Sequence, residues 1–119
     1  MNSPRYVHLR LHSEYSVTDG IVRIGDAVKR AAADGMPAMA LTDLGNLFGL
    51  VKFYSGARGK GVKPIAGADV WIANPLVPDD PSRLLLLARN RTGYRQLCEL
   101  LTRSYTVQGR RDRAEIRRE

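Results

Sequence analysis

His8-Leu9-Arg10-Leu11-His12 alternates polar and apolar residues. In an extended strand that period sets His8, Arg10 and His12 on one face. Asp19 follows one loop later, and Asp43-Leu44, Asp69 and Arg83 stand on or beside later apolar runs. Neutral imidazole and carboxylate together suit Zn²⁺, Mn²⁺ or Fe, and polar residues at the ends of successive parallel strands are how barrel enzymes assemble a site. Arginine does not belong in such a set, because guanidinium stays protonated and has no lone pair to give. The chain therefore reads as a metal-site scaffold whose ligands are partly replaced, with His12, Asp19 and Asp69 the remaining credible donors. A guanidinium at position 10 paired with Asp19 or Asp69 would put fixed positive charge where an ion would sit and repel an incoming cation. Each residue also has a plainer reading: His12 as a hydrogen-bonded buried histidine, Asp19 as a turn residue before Gly20, Asp43 as a strand-end cap. Ser13 and Ser16 beside His12, and Cys98 with either histidine, match no nucleophile motif.

The elements that must carry these residues follow from periodicity. Tyr6 to His12 reads as a strand. Ile24, Val28, Ala31 and Ala32 mark a helix from near Ile24 to Asp34, closed by Gly35 and Pro37. Ala38 to Thr42 reads as a strand covered on both faces. Asn46 is the expected N-cap of a second helix with Leu47, Leu50, Val51 and Tyr54 on its stripe, ending near Lys60. Lys63 to Ile72 is extended, with Gly67 signalling a bulge or a close backbone approach. Asn74 to Ser82 holds three prolines and reads as a loop, and Arg83 to Ala88 as a strand. Asn90 or Thr92 opens a third helix with Tyr94, Leu97, Cys98, Leu101 and Tyr105 on one stripe, ended by Gly109. The β-α-β-α-β-β-α order predicts an α/β fold with mainly parallel strands joined by right-handed crossovers. A doubly wound sheet and part of a barrel fit this pattern equally well.

The 119 residues match one ordinary domain, and 44% are hydrophobic, enough for a core. No apolar run approaches the roughly 18 residues of a membrane span, and the start lacks the apolar stretch of a signal peptide. With a single cysteine as well, no membrane contact and a cytoplasmic location are expected. The net charge of +7 suggests an anionic partner. Residues 110–119 hold five Arg against three acids, either a solvated linker or a patch touching nucleic acid.

Several blocks then converge. Val7-His8-Leu9-Arg10-Leu11-His12-Ser13-Glu14-Tyr15-Ser16, Asp19-Gly20, Gly35 through Asp43, Gly45-Asn46-Leu47-Phe48-Gly49, Lys63 through Asp69 and Asn90 through Tyr94 lie in unbroken order. Together they resemble the N-terminal PHP (polymerase and histidinol phosphatase) domain of bacterial replicative DNA polymerase III α subunits of the DnaE type. The resemblance implies the first part of a distorted (β/α)7 barrel, with residues 1–109 as the N-terminal part of the PHP domain and 110–119 as a basic tail or the start of its next segment. It implies a longer parent, a DNA-directed DNA polymerase whose catalytic Mg²⁺ carboxylates lie downstream, so that this chain alone carries no polymerase site and needs no cofactor. The family's metal-ligand positions map onto Arg10, His12, Asp19, Leu44, Asp69 and Arg83, with His8 and Asp43 behind them. Three of those six are replaced, two by arginine. That pattern resembles proteobacterial α subunits, which implies a metal-free structural platform. Its partners would be the remainder of the α subunit, the proofreading ε subunit and, through the parent, DNA. The alternative is a metal-dependent PHP phosphoesterase, pyrophosphatase or 3′–5′ exonuclease using His12, Asp19 and Asp69.

Overall fold

A computed structural model of the chain describes residues 6–106 and 114–116. The elements run α1 (Ile24–Ala33), β1 (Ala38–Leu41), α2 (Leu50–Gly59), β2 (Lys63–Ile72), β3 (Ser82–Leu87), α3 (Arg91–Thr106) and β4 (Glu115–Ile116). All three other strands pair with β2. Strand β1 runs parallel to its first half, from Ala38 opposite Lys63 to Leu41 opposite Ala66. Strand β3 runs antiparallel to its second half, from Gly67 opposite Leu87 to Ile72 opposite Ser82. Strand β4 joins in parallel at Trp71 and Ile72. The β1–α2–β2 unit is the crossover that the alternation predicts. The loop between β2 and β3 is shorter than the dozen or so residues a parallel return needs, so β3 turns back antiparallel.

Helix α1 buries Ile24, Val28 and Ala31, as its stripe predicts. Gly35 adopts φ +73°; its N–H donates to Ala32 O and that of Met36 to Ala31 O, the reciprocal pair that closes a helix through a left-handed residue. Helix α2 departs from expectation. Its buried residues are Phe53 and Ala57, while Val51 is 80% exposed. The cause is its seating: a Cβ at Gly49 would stand 2.5 Å from Ile24 Cδ1 and 2.9 Å from Tyr15 Cδ2. The missing side chain lets the helix start drop onto α1 and rotates Phe53 inward. Asn46 does not cap this helix. It holds the turn ahead of it, donating from Nδ2 to Tyr15 O at 2.8 Å and accepting from Phe48 N–H at 3.1 Å. Asn90 does cap α3, accepting from Gly93 N–H at 2.8 Å. Gly109, the expected end of α3, lies outside the described residues.

Two apolar clusters result. One joins α1 and α2 to β1 around Val28, Met39, Leu41 and Phe53. The other joins β2 to α3 and β4 around Ala68, Val70, Leu97, Leu101 and Ile116. Because residues alternate along a strand, Asp69 and Trp71 point to the opposite face of β2 from Ala68 and Val70.

The N-terminal segment lies beside β1 but is not the continuous strand expected over residues 6–12. His8 makes an isolated parallel bridge to Met39. His8 O accepts from Ala40 N–H and Leu11 O from Thr42 N–H, so three residue steps on the segment match two on β1. The extra residue acts as a bulge, and it takes His8 out of register with Arg10 and His12.

Gly67 is the close approach: a Cβ there would stand 2.6 Å from Leu86 O on the neighbouring backbone. Gly56, within α2, has open space around it. Gly67→Ala is therefore expected to cost about 2 kcal/mol through overpacking. Gly56→Ala should stabilise by up to about 1 kcal/mol. Urea denaturation midpoints of the two variants would then move in opposite directions.

Candidate functional site

Asp69 is fully buried on the sheet face opposite α3. Arg10 grips it bidentately, Nε to Oδ2 at 2.9 Å and Nη2 to Oδ1 at 2.5 Å, the paired geometry that suits guanidinium to carboxylate. His12 Nε2 meets Asp69 Oδ2 at 2.5 Å, and His12 Nδ1 meets Asp19 Oδ1 at 2.9 Å. The imidazole thus bridges two carboxylates; the imidazolium donates at both nitrogens and the neutral ring at one. Arg83 lies 3.8 Å from Asp19 Oδ2 and stacks over Trp71, its strand partner, at 4.6 Å. Burial alone would raise the Asp69 carboxyl, but the hydrogen bonds from Arg10 and His12 and their charges outweigh it and hold it below the ordinary carboxylate range. The same pairing raises Arg10 further above its already high value.

A second buried carboxylate lies next to this one. Asp43 Oδ1 accepts from Ser13 N–H at 2.5 Å and from Ser16 Oγ at 2.9 Å, and Oδ2 from Ser13 Oγ at 2.8 Å. Ser16 Oγ also accepts from Leu44 N–H. The strand carrying Asp69 is tied to the same turn: Asp69 N–H donates to Asp43 O and Gly45 N–H to Asp69 O. Asp43 therefore pins the loop that presents His12 and Asp19 against β2.

Of the residues singled out from the sequence, Arg10, His12, Asp19, Asp69 and Arg83 come together. Arg10 pairs with Asp69, and Arg83 with Asp19. Leu44 sits at the rim, bridged to Asp69 through its backbone, and contributes no polar group. His8 does not join: it is exposed and packs edge-on against Tyr6 at 4.7 Å. Among the described residues no group of three or more His, Cys, Asp or Glu is arranged to hold a metal ion. Sequence reasoning missed the role of Ser13 and Ser16. Their Ser-x-x-Ser spacing puts two hydroxyls within one turn, a signal of a shared acceptor rather than of a nucleophile.

The family model for the PHP domain matches residues 8–119, and the chain belongs to that family. It is similar to DNA polymerase III subunit alpha of several bacteria. With that of Neisseria meningitidis serogroup A it shares 51% identity over 110 residues, covering 92% of this chain and 10% of the relative. With that of Escherichia coli it shares 50% over 105 residues, 88% of this chain and 9% of the relative. With that of Pseudomonas fluorescens it shares 53% over 108 residues, 90% of this chain and 9% of the relative. The chain spans about a tenth of the length of these curated relatives. Among solved structures, it resembles an amidohydrolase from Chromobacterium violaceum (TM-score 0.59, 22% identity, 79% of this chain and 32% of that one). It also resembles a protein described as a metal-dependent phosphoesterase from Bifidobacterium adolescentis (TM-score 0.60, 14% identity, 82% and 34%). The family match gives the fold as that of a PHP domain, and these two likenesses are of fold alone.

The depressed Asp69 carboxyl has a definite sign in acid. A group whose folded-state pKa lies below its unfolded value contributes stability above the unfolded value, and that contribution disappears as pH falls through the folded one. Stability should accordingly decline below about pH 4, and Asp69→Asn should flatten that decline while lowering stability at neutral pH more than Asp19→Asn does. Thermal melts between acid and neutral pH read both effects. Asp43→Ala, which orphans three donors, should cost about 3 kcal/mol, measured by denaturant titration at neutral pH.

Proposed function

We propose that this chain serves as the PHP region of a bacterial replicative DNA polymerase III α subunit. In this role it is a metal-free structural platform that stabilises the polymerase and docks the proofreading exonuclease ε subunit. The observation that carries the reading is the bidentate hold of Arg10 on Asp69. A divalent ion would need Asp69 lone pairs and a neutral imidazole nitrogen. Here both Asp69 oxygens are engaged by Arg10 and His12, both His12 nitrogens face carboxylates, and Leu44 offers no donor. The fixed guanidinium charge also repels a cation. The residues present do not fit the ion that the family's metal-binding members would hold.

The half-identical relatives support the assignment to an α subunit. On this reading the remainder of that subunit, the ε subunit and, through the parent, DNA are the partners, and Mg²⁺ serves the parent's nucleotidyl transfer away from this chain. On this reading residues 1–109 form the N-terminal part of the domain and 110–119 a basic tail or the start of its next segment; the pairing of Glu115 and Ile116 with β2 favours the second. The location is cytoplasmic; among the described residues no helix is long and apolar enough to cross a membrane.

Elemental analysis of the purified, dialysed chain tests the reading. Zn, Mn and Fe should be far below stoichiometric, and release of phosphate from an aryl phosphate should stay at background whether or not His12→Ala is introduced. Stoichiometric metal that survives dialysis and is lost in His12→Ala would overturn it in favour of a metal-dependent phosphoesterase.

A further inference from the structure

We infer that Tyr105 is a positioning residue: its hydroxyl clasps α3 to the turn at 43–45 and, through that turn, couples the helix to the Arg10–Asp69 pair. Tyr105 Oη donates to Gly45 O at 2.8 Å, a bond between residues 60 apart in the chain. It departs from the other hydroxyls at this end of α3. Thr102, Ser104 and Thr106 each turn back to a carbonyl of the helix itself, those of Cys98, Leu101 and Thr102, the usual habit of short hydroxyl side chains in a helix. Tyr105 continues the stripe of the buried Leu97 and Leu101, which pack on Ala68 and Val70 of β2. Its longer side chain carries a polar tip beyond that apolar contact to the turn.

The receiving end is built for this contact. Gly45 is buried and has φ +71°, a conformation that glycine takes without strain. A Cβ there would also stand 3.3 Å from Tyr105 Oη. The residue is held from two sides. Its N–H donates to Asp69 O at 2.7 Å, and Asp69 N–H donates to Asp43 O at 3.1 Å, while its carbonyl accepts from Tyr105. A buried carbonyl deprived of its donor is costly, so the turn is kept where the hydroxyl stands. The backbone of Asp69 is thereby fixed between Asp43 and Gly45, and its carboxylate meets Arg10 and His12 from that fixed position. Bidentate pairing of guanidinium with carboxylate is geometrically specific, so slack in the turn reaches Arg10. The path is independent of the metal-free reading of the cluster.

Measured coupling, not contiguity, decides the matter. Tyr105→Phe removes the hydroxyl and keeps the ring. In hydrogen exchange followed by NMR on the whole chain, this variant should exchange Gly45 N–H, Asp69 N–H and Arg10 Nε–H about tenfold faster. Ala27 N–H and Phe53 N–H, bonded to Arg23 O and Gly49 O at the helix starts, should keep their rates. Equal acceleration at all of these would make the hydroxyl a general contributor to stability, and acceleration that stops short of Arg10 would make it a local cap of the turn. Either result overturns the coupling, as does no change. A double-mutant cycle gives an independent measure. In denaturant titrations Tyr105→Phe should lower the folding equilibrium constant about fivefold in the unsubstituted chain. With Asp69→Asn already present it should lower it less than about twofold. With Asp34→Asn present, which removes an ion pair to Arg30 at the end of α1, the full effect should return. Should Asp69→Asn not fold, Arg10→Lys takes its place with the same expectation. Simple additivity with the cluster variant would refute the clasp.

Discussion

A fully buried carboxylate dictates the arrangement of the inner face. Asp69 sits in mid-strand on β2 with no solvent contact, where an unpaired ion would be severely penalised. Its charge is tolerable because a guanidinium and an imidazole converge on it from the N-terminal segment. The dependence is mutual. That segment has no helix and no continuous strand of its own; it is fastened to β1 by a bridge and a few backbone bonds, and its Arg10 and His12 side chains fix it over β2. Removing the carboxylate would release the segment as well as orphan Arg10 and His12, so local electrostatics and chain path are one constraint here.

Asp43 solves the same burial problem differently. It is held by two hydroxyls and a backbone N–H, and so it fixes the geometry of the loop. The two carboxylates are joined through the backbone between them. The Asp43 turn positions the loop, the loop presents His12 and Asp19, and Arg83 closes the outer side while stacked on Trp71. Two acids pair with two arginines, with a histidine between the acids. This is the physical content of the proposed metal-free platform: the scaffold keeps its rigidity because side chains supply the positive charge.

Strand β2 separates this charged face from the helical one. Its even-numbered residues Ala68 and Val70 pack under α3, and its odd-numbered Asp69 and Trp71 face the cluster. On the helical side the close seating of α2 at Gly49 turns Phe53 inward and leaves Val51 and Tyr54 facing outward beside a basic rim. The two faces therefore differ in kind: one is polar and holds the N-terminal segment, and the other is apolar and packs under the helices.

Much of this was written in the residues themselves. Alternation and glycine placement gave β2 to the residue and the end of α1 at Gly35, and marked Gly67 as a bulge or a close approach, because these depend on local periodicity and on steric demands that only glycine meets. The types at positions 10, 12, 19, 69 and 83 already signalled charge pairing in a metal-like frame. Which arginine meets which acid was decided by tertiary structure: strand register puts Arg83 beside Trp71, and the bulge removes His8 while leaving Arg10 and His12 on Asp69. The direction of β3, the inward turn of Phe53 and the gathering of Ser13 and Ser16 on Asp43 were likewise beyond local pattern. Each depends on contacts between segments far apart in the chain, and such contacts leave no period in the sequence to read.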